Sequence, residues 1–503
     1  MLGKKNMTKF PKKIAYFARA ETAHFHLAVC KKIKAEWGSE VTLFCNGKDQ
    51  LKFYNHYLNE GLFSKVVNAG LLLQLARLQV VDEEGVFEEA RKFEAWLGSP
   101  YARLSVANRH LGRGFAPGGG GHPRSHISQN ASLSSLTNAY TKTLQFLAEQ
   151  FEKSRFDLLV NPTKEACVVG AKLGIARRLM AGSRFANYHY WAWNEHYESP
   201  IVADKYNNET GRKTAPGFDL LEPYDAHRVN RSLFLEKSGP LTALWKSLGT
   251  ICRFVYWKLR GYEKGSKGYL MWDMVKLPLR EYSQRKELKK IARTSLEDIQ
   301  GKDFIFFPLH IEPEAALQII SPEFLSQRSA ILSLARELPA GKLLVVKEAF
   351  GMVGRRPMGF YKELLEHKNV VLLRVEELGL DCIKQSKGVA TISGTAGLEA
   401  CVIGRPVISF GRHNVYNVVE DVTVVVDDTD LWPVFQRIFD HQVDHDAIRQ
   451  RGLKLLNAII DSSWDMGSFD YRNQKVFGEN QVDACLRSLE ASLRCKLPEP
   501  VSY

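Results

Sequence analysis

The chain predicts an α/β protein of two doubly wound, Rossmann-like domains, and three observations carry that expectation. Short β-rich runs alternate with helical patterns in both halves, the mark of a parallel sheet covered by helices. The 503 residues, 45% of them apolar, suffice for two such domains of roughly 200 residues each plus an insertion. Small-residue turns follow several of the runs, where a doubly wound sheet exposes its ligand-binding loops.

The elements read in order as follows. Ile14–Phe17 is a strand, followed by a turn around Arg19–His26, a helix rich in Ala, Lys and Val, and a second strand at Val41–Cys45. Gly112–His126 is too rich in glycine for either element and is either a mobile active-site loop or a plain linker. Helical pattern resumes on both sides of it, which favours a loop inside the domain. Phe156–Asn161 reads as a strand and Ala166–Gly174 as its helix. Leu221–Arg293 is dense in Trp, Tyr, Lys and Arg. It reads either as basic aromatic helices lying on an anionic membrane surface or as interdomain helices with a solvated basic face. Beyond Asp303 come strand-like runs at Phe304–Leu309, Leu343–Val346, Val370–Val375, Val389–Ile392, Val407–Phe410 and Val422–Val426. Asp444–Leu497 is mostly helical and is expected to pack back across the domains. The expected divisions are 1–225, 226–300, 301–443 and 444–503. Two such domains in tandem leave a cleft between the carboxyl ends of their sheets, where ligands of these folds bind.

Lys and Arg outnumber Asp and Glu by 69 to 56, a net charge of +13. This excess suits polyanions, anionic lipids or phosphorylated substrates; no nucleic-acid motif or stacking platform accompanies it, so nucleic acid ranks last. The eight cysteines show no CxxC or CxxH spacing, which argues against a zinc site and for a reducing cytoplasm. No run resembles a signal peptide or a spanning helix. A cytoplasmic protein is expected, with peripheral attachment to the inner face of the membrane as an option.

Three motifs stand at strand ends in the second half. Thr391–Gly411 reads TISGTAGLEACVIGRPVISFG. A strand that enters a helix through Gly, Ser and Thr aims free N–H groups and the positive helix end at an anion. One turn in, Glu399 can accept hydrogen bonds from sugar hydroxyls, and phosphate plus ribose describes a nucleotide. The bland alternative is a tight turn with an ordinary helix carboxylate. Phe307–Glu314 places His310, Glu312 and Glu314 in one loop, and Lys347, Arg355 and Arg356 offer three cations for phosphate.

Together these motifs resemble the bacterial capsule polysaccharide biosynthesis glycosyltransferases, a GT-B-type group with Kdo-transferring members. The resemblance covers Phe304 to Val426 well, and the N-terminal half by architecture only. It implies a GT-B-like fold with an N-terminal acceptor domain and a C-terminal donor domain facing the cleft. It further implies that Ser393, Thr395 and the backbone at Gly394 and Gly397 hold donor phosphate. Glu399 would take the ribose, with His310, Glu314, Lys347 and Arg355 around the same pocket. Relatives read Lys-Glu-His-Pro where this chain has Lys347-Glu348-Ala349-Phe350, so Ala349 stands at the family histidine position. Either another residue, His310 or Arg355, takes that task or the chain is impaired.

Glycosyl transfer also needs a base or nucleophile on the acceptor side. Glu21, His24, Glu165 and Glu195 with His196 each follow a strand-like run in the first half. Tyr188, Tyr190, Trp191 and Trp193 either stack on sugar rings or form core. No DxD sits at a strand end, so neither metal nor cofactor is expected beyond the nucleotide-sugar substrate. The leading reading is a metal-independent transferase acting from a nucleotide-sugar, a CMP-Kdo or UDP-sugar donor, on a lipid-linked capsular or other surface polysaccharide acceptor. The alternatives are a nucleotide-sugar epimerase of the same fold and a non-catalytic assembly protein.

Overall fold

The structure, a computed structural model, describes residues 10–18, 22–105, 131–208, 239–260, 269–312, 317, 320–324, 326–426, 429–440, 443–467, 469 and 476–500. In chain order its main elements are β1 (Lys13–Phe17), α1 (Ala23–Trp37), β2 (Glu40–Cys45), β3 (Lys65–Asn68), β4 (Leu158–Val160), α2 (Lys164–Lys172), β5 (Ala176–Gly182) and β6 (Tyr188–Ala192). Two long helices follow, α3 (Pro240–Leu259) and α4 (Met271–Ile291). Then come β7 (Phe304–Pro308), β8 (Leu343–Lys347), β9 (Val370–Leu372), α5 (Gly379–Gln385), β10 (Gly388–Thr391), α6 (Thr395–Ile403), β11 (Val407–Ser409) and β12 (Val422–Val424). β13 (Trp464–Asp465) and α7 (Glu479–Arg494) close the described chain.

The described residues form two compact units, one from 10–104, 131–208 and 458–500, the other from 239–457. The first unit carries a seven-stranded sheet in the order β13-β6-β5-β4-β1-β2-β3. β1 to β5 are parallel, with Ile14 opposite Leu158 and Tyr16 opposite Val160. β6 runs antiparallel to β5, and β13 antiparallel to β6. The central strand β1 is apolar on both faces because helices cover both sides, so Ile14 to Phe17 are all buried. The final segment does return, onto this unit: β13 pairs with β6, and Leu486 and Leu489 of α7 join Phe25, Val29 and Ile33 of α1 in one core.

The second unit carries a six-stranded, all-parallel sheet in the order β12-β11-β10-β7-β8-β9. All six strand-like runs of the sequence appear in it, five of them trimmed at the carboxyl end where the chain turns into a loop and the Leu343–Val346 run extended to Lys347. Ile305, Phe307, Leu344, Val346, Ala390 and Ile408 meet in its core. α6 stops at Gly404, whose φ of 91° is left-handed and whose N–H caps Ala400. Six of the eight cysteines (Cys30, Cys45, Cys167, Cys382, Cys401 and Cys485) are buried thiols that fill these cores.

Candidate functional site

Counted by order of occurrence, the second sheet runs 3-2-1-4-5-6. Its neighbours β7 and β10 therefore send their connections in opposite directions, and ligands of doubly wound sheets bind at that point. The structure brings the Phe307–Glu314 and Thr391–Gly411 motifs together there. Nε2 of His310, just past β7, accepts the N–H of Ile392 at 3.2 Å and lies 3.2 Å from the Thr391 hydroxyl. A backbone N–H can only donate, so Nε2 is the bare nitrogen and the ring proton sits on Nδ1. A Cβ at Gly394 would stand 2.8 Å from the His310 Cε1, so glycine there lets the start of α6 close over the ring.

Around this contact the phosphate and ribose candidates occupy distinct states. The Ser393 side chain is fully buried and its hydroxyl has no hydrogen-bond partner among the described residues. Gly394 caps α6 with no side-chain bond, and the first turn holds no acid, so the N–H groups there keep their positive field. The Thr395 hydroxyl is turned onto Glu399. Burial pushes the Glu399 carboxyl up to about 7, and the Thr395 bond only partly opposes the rise. Gly397 serves packing: a Cβ there would meet the Tyr416 ring at 2.4 Å.

The cations of the Lys347–Arg356 stretch and the acid Glu312 are placed differently from expectation. Arg356 is fully buried, donating from Nε to Glu348 at 2.8 Å, from Nη1 to Glu312 at 2.8 Å and from Nη2 to the His310 carbonyl at 2.7 Å. Burial works against its charge, but Glu348 and Glu312 outweigh that and hold the guanidinium above its ordinary value. Glu312, expected in an exposed loop, is buried, which raises its carboxyl while Arg356 pulls it back. Gln327 completes the frame by accepting the His310 N–H at 2.6 Å and donating to the His310 carbonyl at 3.1 Å. Arg355 pairs with Glu281 of α4 at 2.8 Å. Lys347 is buried, its Nζ on the Glu348 carbonyl at 3.0 Å and 4.2 Å from the Phe350 ring centroid; burial lowers its pKa. Half-buried Ala349 donates its N–H to Glu348 at 2.8 Å. Glu314 lies outside the described residues, as do Glu21, Gly112–His126 and Asp427-Asp428.

In the first unit the equivalent point lies between β1 and β4. His24 and Glu165 stand in the first turns of α1 and α2 there, both half-buried, with His24 edge-on to Phe53 at 5.6 Å. Glu195 and His196 do not. They follow β6, and β6 is antiparallel, so its carboxyl end lies at the opposite edge of the sheet. Both are buried, with Glu195 beside Cys167. Tyr190, Trp191 and Trp193 are core: the Trp191 Nε1 donates to the Cys485 carbonyl at 3.2 Å, and the Arg178 guanidinium stacks 3.7 Å from the Trp193 ring centroid. Tyr188 is half-buried at the start of the same strand.

The sequence reading missed a second polar set at this point. The Tyr16 hydroxyl lies 2.9 Å from Nδ1 of His26, and Nε2 of His26 lies 2.6 Å from the Thr22 hydroxyl. Asn161, ending β4 at φ 52°, accepts the Met180 N–H at 2.6 Å. The signals available were a Tyr inside an apolar strand and an Asn directly after one, since Asn tolerates the left-handed region better than most residues.

Residues 251–425 match the family model described as capsule polysaccharide biosynthesis protein. That match covers 175 of the 503 residues. The segment spans β7 to β12, and so includes His310, the Lys347–Arg356 stretch and the Ser393–Glu399 turn. No curated protein matches the chain in sequence. Among solved structures the chain is similar to KpsC of Thermosulfurimonas dismutans, a beta Kdo 2,7 transferase, at 12% identity over 68% of this chain and 89% of that one, with a TM-score of 0.33. It is similar to the UDP-GlcNAc 2-epimerase of Neisseria meningitidis at 11% identity over 89% and 96%, with a TM-score of 0.24. A third likeness is to the ADP-heptose lps heptosyltransferase II of E. coli, at 9% identity over 89% and 98%, with a TM-score of 0.22.

Proposed function

We propose that this protein is a glycosyltransferase of GT-B type that moves a sugar from a nucleotide-sugar, a CMP-Kdo or UDP-sugar donor, to a capsular or other surface polysaccharide carried on lipid. The observation that carries the reading is the Ser393 hydroxyl, fully buried and unpartnered at the start of α6. An unsatisfied buried hydroxyl costs about 1–3 kcal/mol, so a fold keeps one where a ligand completes it. Donor phosphate lies against Ser393 and the first N–H groups of α6. These groups stabilise the negative charge that grows on the leaving nucleotide. Glu399 accepts from the ribose hydroxyls.

Arg356 and Gln327 act through His310: they fix its loop from both sides and keep the ring against the α6 turn. His310 also supplies an imidazole at the site, while the family histidine position holds Ala349. The candidates for an acceptor-side base in the first unit are His24 and Glu165, with Glu21 outside the described residues. The test is transfer of label from CMP-Kdo and from UDP-sugars to an oligosaccharide acceptor. Transfer that requires the acceptor and falls at least about tenfold in Ser393→Ala supports the reading. Conversion of a nucleotide sugar without acceptor, or no turnover of any donor, contradicts it.

A further inference from the structure

The outward face of α3 is apolar. Leu241, Leu244, Trp245, Leu248, Val255 and Leu259 are all exposed, Trp245 at 71% and Leu259 at 82%. Their spacing of i, i+3, i+4, i+7, i+14 and i+18 puts them on one stripe, which runs about 27 Å along the helix. Ala243 and Ser247, on the opposite side, are buried where α3 packs on α4. An ordinary surface helix shows the reverse arrangement. Lys246, Arg253 and Arg260 flank the stripe on one side and Lys258 flanks it on the other, at 100° per residue. Pro240–Leu259 contains no Asp or Glu at all. Trp272 at the start of α4 is exposed as well.

We propose that α3 is the docking surface of this protein for an anionic phospholipid membrane, lying in the plane of the headgroups with its apolar stripe inserted. The charge pattern selects this occupant. A second copy of the helix would set Lys and Arg against Lys and Arg with no carboxylate to pair them, whereas lipid phosphates complement both flanks. Among the described residues no helix is long and apolar enough to cross a membrane, so α3 lies on the bilayer. The inference stands apart from the transferase proposal, because vesicle binding requires no donor and no turnover.

The test is co-sedimentation of the full chain with vesicles of phosphatidylcholine alone or mixed with phosphatidylglycerol. The wild type is expected to sediment with the anionic vesicles only, and less at high salt. Trp245→Ser/Leu248→Ser and Lys246→Glu/Arg253→Glu are each expected to weaken binding by roughly tenfold. These side chains are exposed, so thermal melting is expected to stay at the wild-type value. If it does not, Leu241→Ser/Leu259→Ser repeats the test at the ends of the stripe. Absence of vesicle binding, or binding unchanged in these variants, overturns the proposal. So does a wild-type dimer in light scattering that the Ser variants dissociate while no vesicle binding occurs.

Discussion

The two units place the same topological feature, adjacent strands whose connections leave in opposite directions, in different chemical states. Between β1 and β4 the side chains largely bind one another: Tyr16 to His26, His26 to Thr22, Asn161 Oδ1 to the Met180 N–H, while the buried Asn161 Nδ2 has no partner among the described residues. Burial holds the Tyr16 phenol well above its ordinary pKa, so it stays protonated and able to bond His26. Between β7 and β10 the Ser393 hydroxyl has no partner, and burial pushes the Glu399 carboxyl up to about 7. Topology therefore marks two places where a ligand can sit, and satisfaction of the polar groups says which is built around an absent one. The proposed donor is assigned to the second on its Ser393 hydroxyl and its Glu399 carboxyl.

The comparison breaks most severely at Arg356. Arg356→Ala leaves Glu348 and Glu312 buried without their cation, and the expected loss is about 3–5 kcal/mol in chemical denaturation. Because Arg356 also holds the His310 carbonyl, nucleotide affinity should fall with it; a mild, affinity-neutral effect would show that the frame does not position the site.

That frame was hidden in the sequence for a physical reason. Glu348, eight residues before Arg356, Glu312 and His310 converge only through the parallel order of β7 and β8, and no local pattern encodes contacts across 44 and 46 residues. Arg356 beside Arg355 reads as a surface pair, yet one is fully buried and the other bonds α4. The six strands and the α6 turn were legible because apolar runs and Gly-Ser-Thr turns are local signals. Glu195 misled because strand direction is not written in a strand: a run such as YHYWA looks the same parallel or antiparallel, and only the β5–β6 pairing puts Glu195 at the far edge.

Glu399 sharpens the comparison through pH. Its folded value of about 7 exceeds the ordinary 4.5, so burial favours the neutral form. The stability this gives is fully present below about 4.5 and is lost as pH rises through about 7. Glu399→Gln removes the loss, and should gain ~1–3 kcal/mol over wild type near pH 8 with little difference near 4.5, read from denaturation at both values. Ribose hydroxyls donate to the carboxylate, so wild-type nucleotide affinity should rise over the same window.

A smaller effect separates the two places by sign. Tyr16→Phe removes a satisfied buried hydroxyl and the bond it makes to the His26 Nδ1, costing about 1–2 kcal/mol in thermal or chemical melts. Ser393→Ala removes an unsatisfied one and should be neutral or stabilising by up to about 1 kcal/mol. Equal losses in both would mean that Ser393 is bonded in solution and awaits no ligand.

The most direct test of the donor site is calorimetric titration with CMP, UDP, GDP and CDP of the wild type, Ser393→Ala, Glu399→Ala and Ala349→His. One nucleotide is expected to bind, with affinity reduced about tenfold or more in Ser393→Ala and Glu399→Ala, and unchanged or tightened in Ala349→His. Absence of binding to all four, or binding that ignores Ser393 and Glu399, would contradict a donor site between β7 and β10.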